Sequence, residues 1–412
     1  MKILFFTDNF PPESNAPASR TFEHVVRWVR SGHEVTIVTC APNFPQGKLF
    51  AGYRNKLWQT EVMDGIRVVR LWSYIAPNSG VFKRTLDYLS FMIAAMIAAP
   101  FLARPDVIVG TSPQFFTLVA ARWASFVKRR PWMLELRDIW PESIKAVGLS
   151  QSSALFRALQ RLEMSLYRSA SRIVVVTHSF KRILVQRGIP GDKIAVVTNG
   201  VDFSRYQPRA KDPELVRDLN LEDRFVAGYV GTHGMAHALE TLLSAAQKMQ
   251  ARADLRDVVI LFVGDGARRA ELEAMAAKNR LDNVRFLGPV PKEAVARFWS
   301  VLDVSIIHLK NTELFTTTIP SKLFECMGMG LPVLLGVAGE AQEMVERHEI
   351  GLPFPPEDAE SLVEGIATLF SDKELMERLR ANATNTAPDY DRGRLAERML
   401  RELEAASGHR VV

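Results

Sequence analysis

Lys322 and Glu325 stand three residues apart in the segment IPSKLFECMGMGLPV, residues 319–333, a spacing that puts an ammonium and a carboxylate on one helix face. Helical side chains lean toward the helix N-terminus, where backbone amides and the macrodipole favour an anion. A lysine and amides in that place suit phosphate oxygens. An ionised glutamate, which only accepts hydrogen bonds, suits a pair of ribose hydroxyls. A solvated i,i+3 ion pair has the same spacing, so the neighbouring segments must decide. Pro320 and Ser321 fit a first helical turn, the serine as a hydroxyl able to cap free amides, and Gly328 and Gly330 fit its end. Leu331-Pro332 then leads into a strand expected at 333–335.

Other segments carry groups of the same kind. GYVGTHGMAH, residues 228–237, reads as a strand running through a glycine loop into a helix, with the amides of Gly231, Thr232, His233 and Gly234 able to approach a phosphate and His237 close behind. VGDG contributes Gly264 after another strand, and FLGPVPKE exposes backbone from Leu287 to Val290 that could bond a flat base. LRDIWPES puts Arg137, Asp138, Trp140 and Glu142 at a strand end, where an acceptor's pyrophosphate or sugar could meet them. Each has a structural counterpart: packing contacts for the two histidines, and a salt-bridged Arg–Asp turn with Trp140 in the core.

The elements that must position these groups alternate. KILFFTD, EVTIVTC, IRVVRLW, DVIVGTS, WMLELRD, RIVVVTH and IAVVTNG are short β-branched runs separated by amphipathic stretches, the first of them a helix over about 18–30. After the polar stretch FSRYQPRAKDPELVRD the pattern restarts with RFVAGYVG, VVILFVGDG, NVRFLGPV and VSIIHL. Strands apolar on both faces and separated by helices build parallel, doubly wound sheets, so the chain reads as α/β with two such domains. Ligands of such sheets bind at the strands' carboxyl ends.

The 412 residues suffice for two cores, and 47% hydrophobic with 24% charged residues excludes a disordered chain. Two cysteines far apart, Cys40 and Cys326, encode neither a disulfide framework nor a thiolate metal site, and a reducing cytoplasm fits. Residues 1–205 hold 27 Lys+Arg against 14 Asp+Glu, whereas the rest hold 25 against 32, so the basic half should face something anionic. Within it, LDYLSFMIAAMIAAPFLA, residues 86–103, lies between Lys83-Arg84 and Arg104. Pro100 and the crossover expected here count against a spanning helix, leaving a buried helix or one lying in a membrane interface, with Phe91, Met92 and Met96 as its lipid-facing residues. Anionic lipid would complement the basic surplus.

In this order, the N-terminal strand and loop, VVTNGVD, GYVG, VGDG, FLGPV and PSKLFE…GLPV resemble glycosyltransferase family four along nearly the whole chain. FFTDNFPPE, LRDIWPES and GTHGMAH are similar to bacterial transferases of O-antigen and capsule synthesis, including the fucosamine transferase type. The resemblance implies a GT-B fold: residues 1–202 as an acceptor domain with a membrane-associating segment at 83–104, residues 203–387 as a nucleotide-sugar donor domain facing it across a cleft, and residues 388–412 as a helix packing back on the first domain. It implies a retaining transferase that moves a sugar, an N-acetylated amino or deoxyamino sugar, from a UDP donor to a polyprenyl diphosphate-linked saccharide at the cytoplasmic face of the inner membrane, in O-antigen, capsule or exopolysaccharide synthesis. No cofactor, metal or nucleic acid is implied, and no DxD aspartate pair stands at a strand end.

Carried onto this chain, Glu325 matches the second of the family's paired glutamates, the one that binds ribose, while Thr317 stands where the first would be. Thr317 and Thr318 could still approach the donor, alongside Ser321 and Leu323. The family's basic pair after the first strand of the donor domain is replaced by Thr232, His233 and His237, so the diphosphate falls to Lys322, to the amides of 231–234 and to a protonated histidine. The glycine-rich loop of the first domain has become FPPESNAPASR, placing Asn15 and Ser19 near the acceptor. Asp138, Lys322 and Glu325 are the expected catalytic residues. A nucleotide-sugar 2-epimerase of the same architecture and a non-catalytic, membrane-docked assembly subunit are the competing readings.

Overall fold

A computed structural model describes residues 1–44, 46–75, 81–139, 154–291 and 293–408, which form two units. Unit one is Met1–Thr198 with Arg392–Val412, and unit two is Asn199–Asp391.

In unit one, strands β1 (Lys2–Phe6), β2 (Glu34–Cys40), β3 (Trp58–Met63), β4 (Ile66–Leu71), β5 (Val107–Thr111), β6 (Trp132–Leu136), β7 (Arg172–Val175) and β8 (Ile194–Val196) pair in the order β3-β4-β2-β1-β5-β6-β7-β8. Residues such as Phe5, flanked by Ile37 and Val109 in register, are buried on both sides, which is why these strands are apolar throughout. β3 is antiparallel to β4 and was not expected. It is an edge strand whose exposed and half-buried residues alternate, joined to β4 by Asp64-Gly65, both at positive φ, the two-residue turn that matches strand twist.

Helices α1 (Ala16–Arg30), α2 (Val81–Ala98), α3 (Phe115–Lys128), α4 (Ala154–Ser169) and α5 (His178–Gln186) cover this sheet. α2 buries Phe91, Ala95 and Ala98 in the core it shares with α3, and Met92 and Met96 are half-buried against that core. Of the two readings open for this segment, a buried helix and one lying in a membrane interface with Phe91, Met92 and Met96 toward lipid, these three residues follow the first: they are the inner face of the helix. Among the described residues no helix is long and apolar enough to cross a membrane.

Unit two carries α6 (Pro213–Asp218), β9 (Phe225–Val230), α7 (Glu240–Gln250), β10 (Val258–Val263), α8 (Arg269–Lys278), β11 (Val284–Leu287), α9 (Val295–Trp299), β12 (Val304–His308), α10 (Ser321–Met329), β13 (Val333–Gly336), α11 (Glu340–His348), β14 (Gly351–Pro353), α12 (Ala359–Ser371) and α13 (Lys373–Thr386). Its parallel sheet runs β11-β10-β9-β12-β13-β14, so strand order reverses between β9 and β12. Gly228 permits that central packing, since a Cβ there would lie 2.3 Å from Leu302 Cδ2. The closing helix α14 (Arg392–Ser407) returns to unit one, where the Trp28 indole N–H donates to the Ala396 carbonyl at 2.9 Å and Arg392 pairs with Glu23 at 2.6 Å.

Candidate active site

At the carboxyl ends of β9, β10 and β11, beside the reversal point, three loops are tied backbone to backbone. The amide of Gly231 donates to Val263 at 2.8 Å, that of Gly264 to Leu287 at 3.2 Å, and that of His233 to Asp265 at 2.8 Å. The approach is close enough to require glycine: Gly264 sits at φ +137, and a Cβ there would fall 2.1 Å from the Gly231 carbonyl oxygen.

α10 presents its first turn to these loops. Its N-cap is Pro320, with no side-chain hydrogen bond, and Ser321 is the first helical residue, so the expected capping role for the Ser321 hydroxyl is not found. The uncapped turn leaves an electropositive helix end, the ordinary setting for a bound anion. Lys322 runs across Gly231, whose missing Cβ would lie 2.5 Å from the lysine Cε and 2.6 Å from Nζ. Its Nζ rests 3.6 Å from the centroid of the Tyr229 ring, which is itself held by its hydroxyl donating to the Thr232 carbonyl at 2.8 Å. Burial pulls the Lys322 pKa down to about 7, against the opposing pull of Glu325. Glu325 is half-buried one turn further along α10, and Gly330, at φ +63, ends the helix.

The other expected donor residues divide. Leu323 is wholly buried among Phe324 and Met327, so its side chain is core and reaches no ligand. The Thr317 hydroxyl donates within its own 3-10 turn to the Leu314 carbonyl at 3.2 Å, and Thr318 follows that turn, two residues before Pro320. Leu287 and Val290 are half-buried against the same core as Leu323, which leaves their backbone as the part able to meet a base.

The histidines overturn one expectation. His233 is wholly buried between Tyr229, Phe262 and Phe286, with neither ring nitrogen hydrogen-bonded. Burial, Arg269 and Lys322 lower its pKa, and burial with Lys322 lowers that of His237 to about 4. Both are neutral at pH 7, so neither supplies the positive charge expected of a protonated histidine. The amide of His237 instead donates to the Gly234 carbonyl at 3.1 Å, and its own carbonyl accepts from His308 Nδ1 at 2.8 Å. His308 Nε2 accepts from the Glu357 amide at 2.9 Å, which fixes His308 as the neutral Nδ1–H tautomer clamping this loop.

In unit one, Ser112 Oγ accepts from the amides of Arg137 at 2.7 Å and Asp138 at 3.3 Å. Burial raises the Asp138 pKa against the pull of Arg137, and burial lowers that of Arg137 to about 10, leaving it cationic at pH 7. The Asn15 side chain is spent on structure: its oxygen caps α1 by accepting from the Ala18 amide at 2.9 Å, and its amide donates to Asn9 at 2.6 Å. Ser19 lies in the first turn of the same helix, and Trp140 and Glu142 lie outside the described residues.

Residues 15–200 match the family described as glycosyl transferase 4-like domain, and residues 211–386 that of glycosyl transferases group 1. The chain belongs to the two-domain glycosyltransferases. The transferase is 25% identical over 386 residues, 89% of its own length and 91% of the relative's, to WcaI of Escherichia coli (strain K12), whose name assigns it to glycosyl transfer in colanic acid biosynthesis. It is 26% identical over 355 residues, 85% of its length and 84% of the relative's, to a GDP-mannose-dependent alpha-mannosyltransferase of Mycolicibacterium smegmatis. The crystal structure of Anabaena HepE in complex with UDP and glucose shares its fold, with a TM-score of 0.71 at 19% identity over 98% of this chain and 100% of that one. The architecture is GT-B.

Three features of the transferase escaped the sequence reading. Tyr229, inside the quoted GYVG, is the platform under Lys322. Arg269 donates to the Gly264 carbonyl at 3.1 Å, in the loop after β10, while pairing with Glu273 at 2.8 Å, so a cation stands among these loops although the family's basic pair is replaced after β9. Arg20 and Glu135 form a buried ion pair at 2.9 Å behind Arg137. The signal for the last was a glutamate inside the apolar strand WMLEL, a position that tolerates charge only when paired.

Proposed function

We propose that this glycosyltransferase takes its sugar from a UDP donor and passes it, with retention at the anomeric carbon, to a saccharide linked to polyprenyl diphosphate. The observation that carries the donor half is the ammonium of Lys322 held over Gly231 at the uncapped start of α10. That arrangement offers a point charge and helix amides to the two phosphates, and Glu325 to the ribose hydroxyls. Charge building on the departing diphosphate is then stabilised by groups already in place. The glycosidic bond to the phosphate oxygen breaks as the acceptor hydroxyl bonds to the anomeric carbon on the same face, and the hydroxyl proton leaves with that phosphate oxygen. We assign acceptor handling to Arg137 and Asp138. The solved HepE complexes with UDP and UDP-glucose support the nucleotide, and the name of WcaI supports an exopolysaccharide product; an N-acetylated amino or deoxyamino sugar is our choice of cargo.

Purified protein offered a panel of UDP-sugars and a polyprenyl diphosphate-linked saccharide should release UDP with one of them. A panel of GDP-sugars active in its place would overturn the UDP assignment. Glu325→Ala should weaken UDP binding in calorimetry about tenfold while the melting temperature holds, because a charged hydrogen-bond partner of the ribose is lost. Unchanged affinity would remove Glu325 from the site.

Proton linkage gives an independent check. The Lys322 pKa is about 7 without ligand, and a bound diphosphate favours the charged form, so the pKa rises on binding. Above pH 7 the complex must take up a proton, and affinity for UDP-glucose should fall by up to about tenfold per pH unit. Below pH 7, where the lysine is already charged, affinity should be flat. Calorimetry in two buffers of different ionisation enthalpy reads the proton directly, and Lys322→Met should abolish the uptake.

A further inference from the structure

We propose that β3 is a self-association edge: two copies of this chain pair β3 against β3, antiparallel, about a twofold axis through Thr60. The inference goes beyond the donor and acceptor readings and depends on neither.

Among the described residues nothing pairs with the outer side of β3, which ends the sheet order β3-β4-β2-β1-β5-β6-β7-β8. Its register with β4 says which of its backbone groups are left over. Met63 and Ile66 flank the two-residue turn Asp64-Gly65, and residues flanking such a turn exchange both hydrogen bonds across the ladder. Bonded positions alternate from there. Glu61–Val68 and Gln59–Arg70 are therefore bonded pairs, whereas the N–H and C=O of Trp58, Thr60 and Val62 point away from β4. The edge they line has none of the usual protections: WQTEVM contains no proline and no lysine, and its one charge, Glu61, is spent on Arg70 at 2.6 Å. Leu57 and Val62 stand 81% and 74% exposed on it.

This edge is complementary to itself. Trp58, Thr60 and Val62 share the exposed face of β3, where the Trp58 indole N–H donates to the Thr60 hydroxyl at 3.2 Å. With the axis on Thr60, Trp58 of one copy lies opposite the partner's Val62 and Thr60 opposite Thr60, so every outward N–H and C=O of the strand finds a partner. Lys56, two residues before β3, meets the partner's Asp64, the residue after it, and both are exposed. Aromatic with β-branched, threonine with threonine and cation with carboxylate are the pairings that stabilise neighbouring strands. Other registers lose them. An axis on Glu61 sets two carboxylates opposite each other, and one on Gln59 sets Lys56 against Val62. Pairing uses up the edge of each copy, so the assembly closes at two.

Sedimentation velocity of the full chain, run from micromolar to submillimolar protein, should show monomer passing to dimer. Hydrogen exchange on the same samples should show the amides of Trp58, Thr60 and Val62 slowing as the dimer forms. Thr60→Pro removes one outward donor per copy without touching the ladder to β4, and should weaken dimerisation about thirtyfold while the monomer still melts as wild type. Lys56→Glu sets like charges together at both ends of the pairing and should weaken it about tenfold. The double variant K56E/D64N should recover most of that loss, because asparagine-glycine keeps the turn and the glutamate no longer faces a carboxylate. A lysine with only a structural role in its own chain would not be rescued this way. A monomer at every concentration would overturn the proposal, as would a dimer whose three edge amides exchange as fast as in the monomer, or a K56E dimer as tight as wild type.

Discussion

Replacing Lys322 by methionine should lower kcat for sugar transfer about 10²- to 10³-fold while the protein melts at or slightly above the wild-type temperature. The size follows from deleting one preorganised positive group where charge develops on a leaving diphosphate, worth roughly 3–4 kcal/mol of barrier. The stability result follows from the other side of the same geometry. The ammonium is desolvated enough for its pKa to fall to about 7, so the fold gains nothing from holding it charged. Methionine keeps the apolar body that crosses Gly231 and ends one atom short of the ammonium on Tyr229, without the charge. A companion substitution, Gly231→Ala, leaves the lysine in the chain but puts a methyl within 2.6 Å of its Cε and Nζ, on a backbone at φ +139. It should displace the ammonium and lower turnover by a smaller factor. Steady-state kinetics with the active UDP-sugar, beside a thermal melt, separates the two. Near-normal turnover by Lys322→Met would mean that the diphosphate is held elsewhere.

The parts of this site that the sequence made legible are local ones. A lysine at the start of a short helix, a glycine loop after a strand and a run apolar on both faces are each written within about ten residues, and the two parallel sheets follow from the last. What stayed hidden depends on residues distant in the chain. Tyr229 matters because Lys322, on α10, lies across its ring, and His308 because its two ring nitrogens join His237 to Glu357. Burial was not legible in two places. His233 reads as a loop histidine able to charge, but Tyr229, Phe262 and Phe286 enclose it and keep it neutral. α2 reads as apolar all round, and sequence alone does not say which side meets α3, so a buried helix and an interfacial one are equally compatible with it. β3 was legible and missed: Met63-Asp64-Gly65-Ile66 carries the Asp-Gly hairpin signal, but the strand before it is too exposed to resemble its neighbours.

Glu135→Leu should destabilise unit one by roughly 3–5 kcal/mol at pH 7, because it strands a buried guanidinium. Arg20 donates from Nε to Glu135 at 2.9 Å and from its two Nη atoms to the carbonyls of Thr198 at 2.7 Å and Val197 at 2.9 Å. Glu135 in turn accepts from the Thr111 hydroxyl at 2.6 Å. Desolvation would raise the Glu135 pKa, but Arg20, Arg137 and Thr111 together hold it below the usual glutamate value. A carboxylate with a depressed native pKa stabilises the fold above its unfolded pKa of about 4.3, and that contribution is lost as pH falls through the native value. Urea unfolding followed by tryptophan fluorescence reports chiefly this unit, since six of the seven tryptophans precede residue 199. Arg20→Met alone should cost a similar amount, by stranding the carboxylate and two chain carbonyls. The double variant R20M/E135L should recover much of the loss, because an apolar pair removes both desolvated charges at once. It should also lose the extra acid sensitivity of the wild type, which sets in as pH falls below the unfolded glutamate pKa of about 4.3. If instead the two single losses simply add, each side chain packs independently, and the ion pair is not what joins β6 to the chain leaving β8.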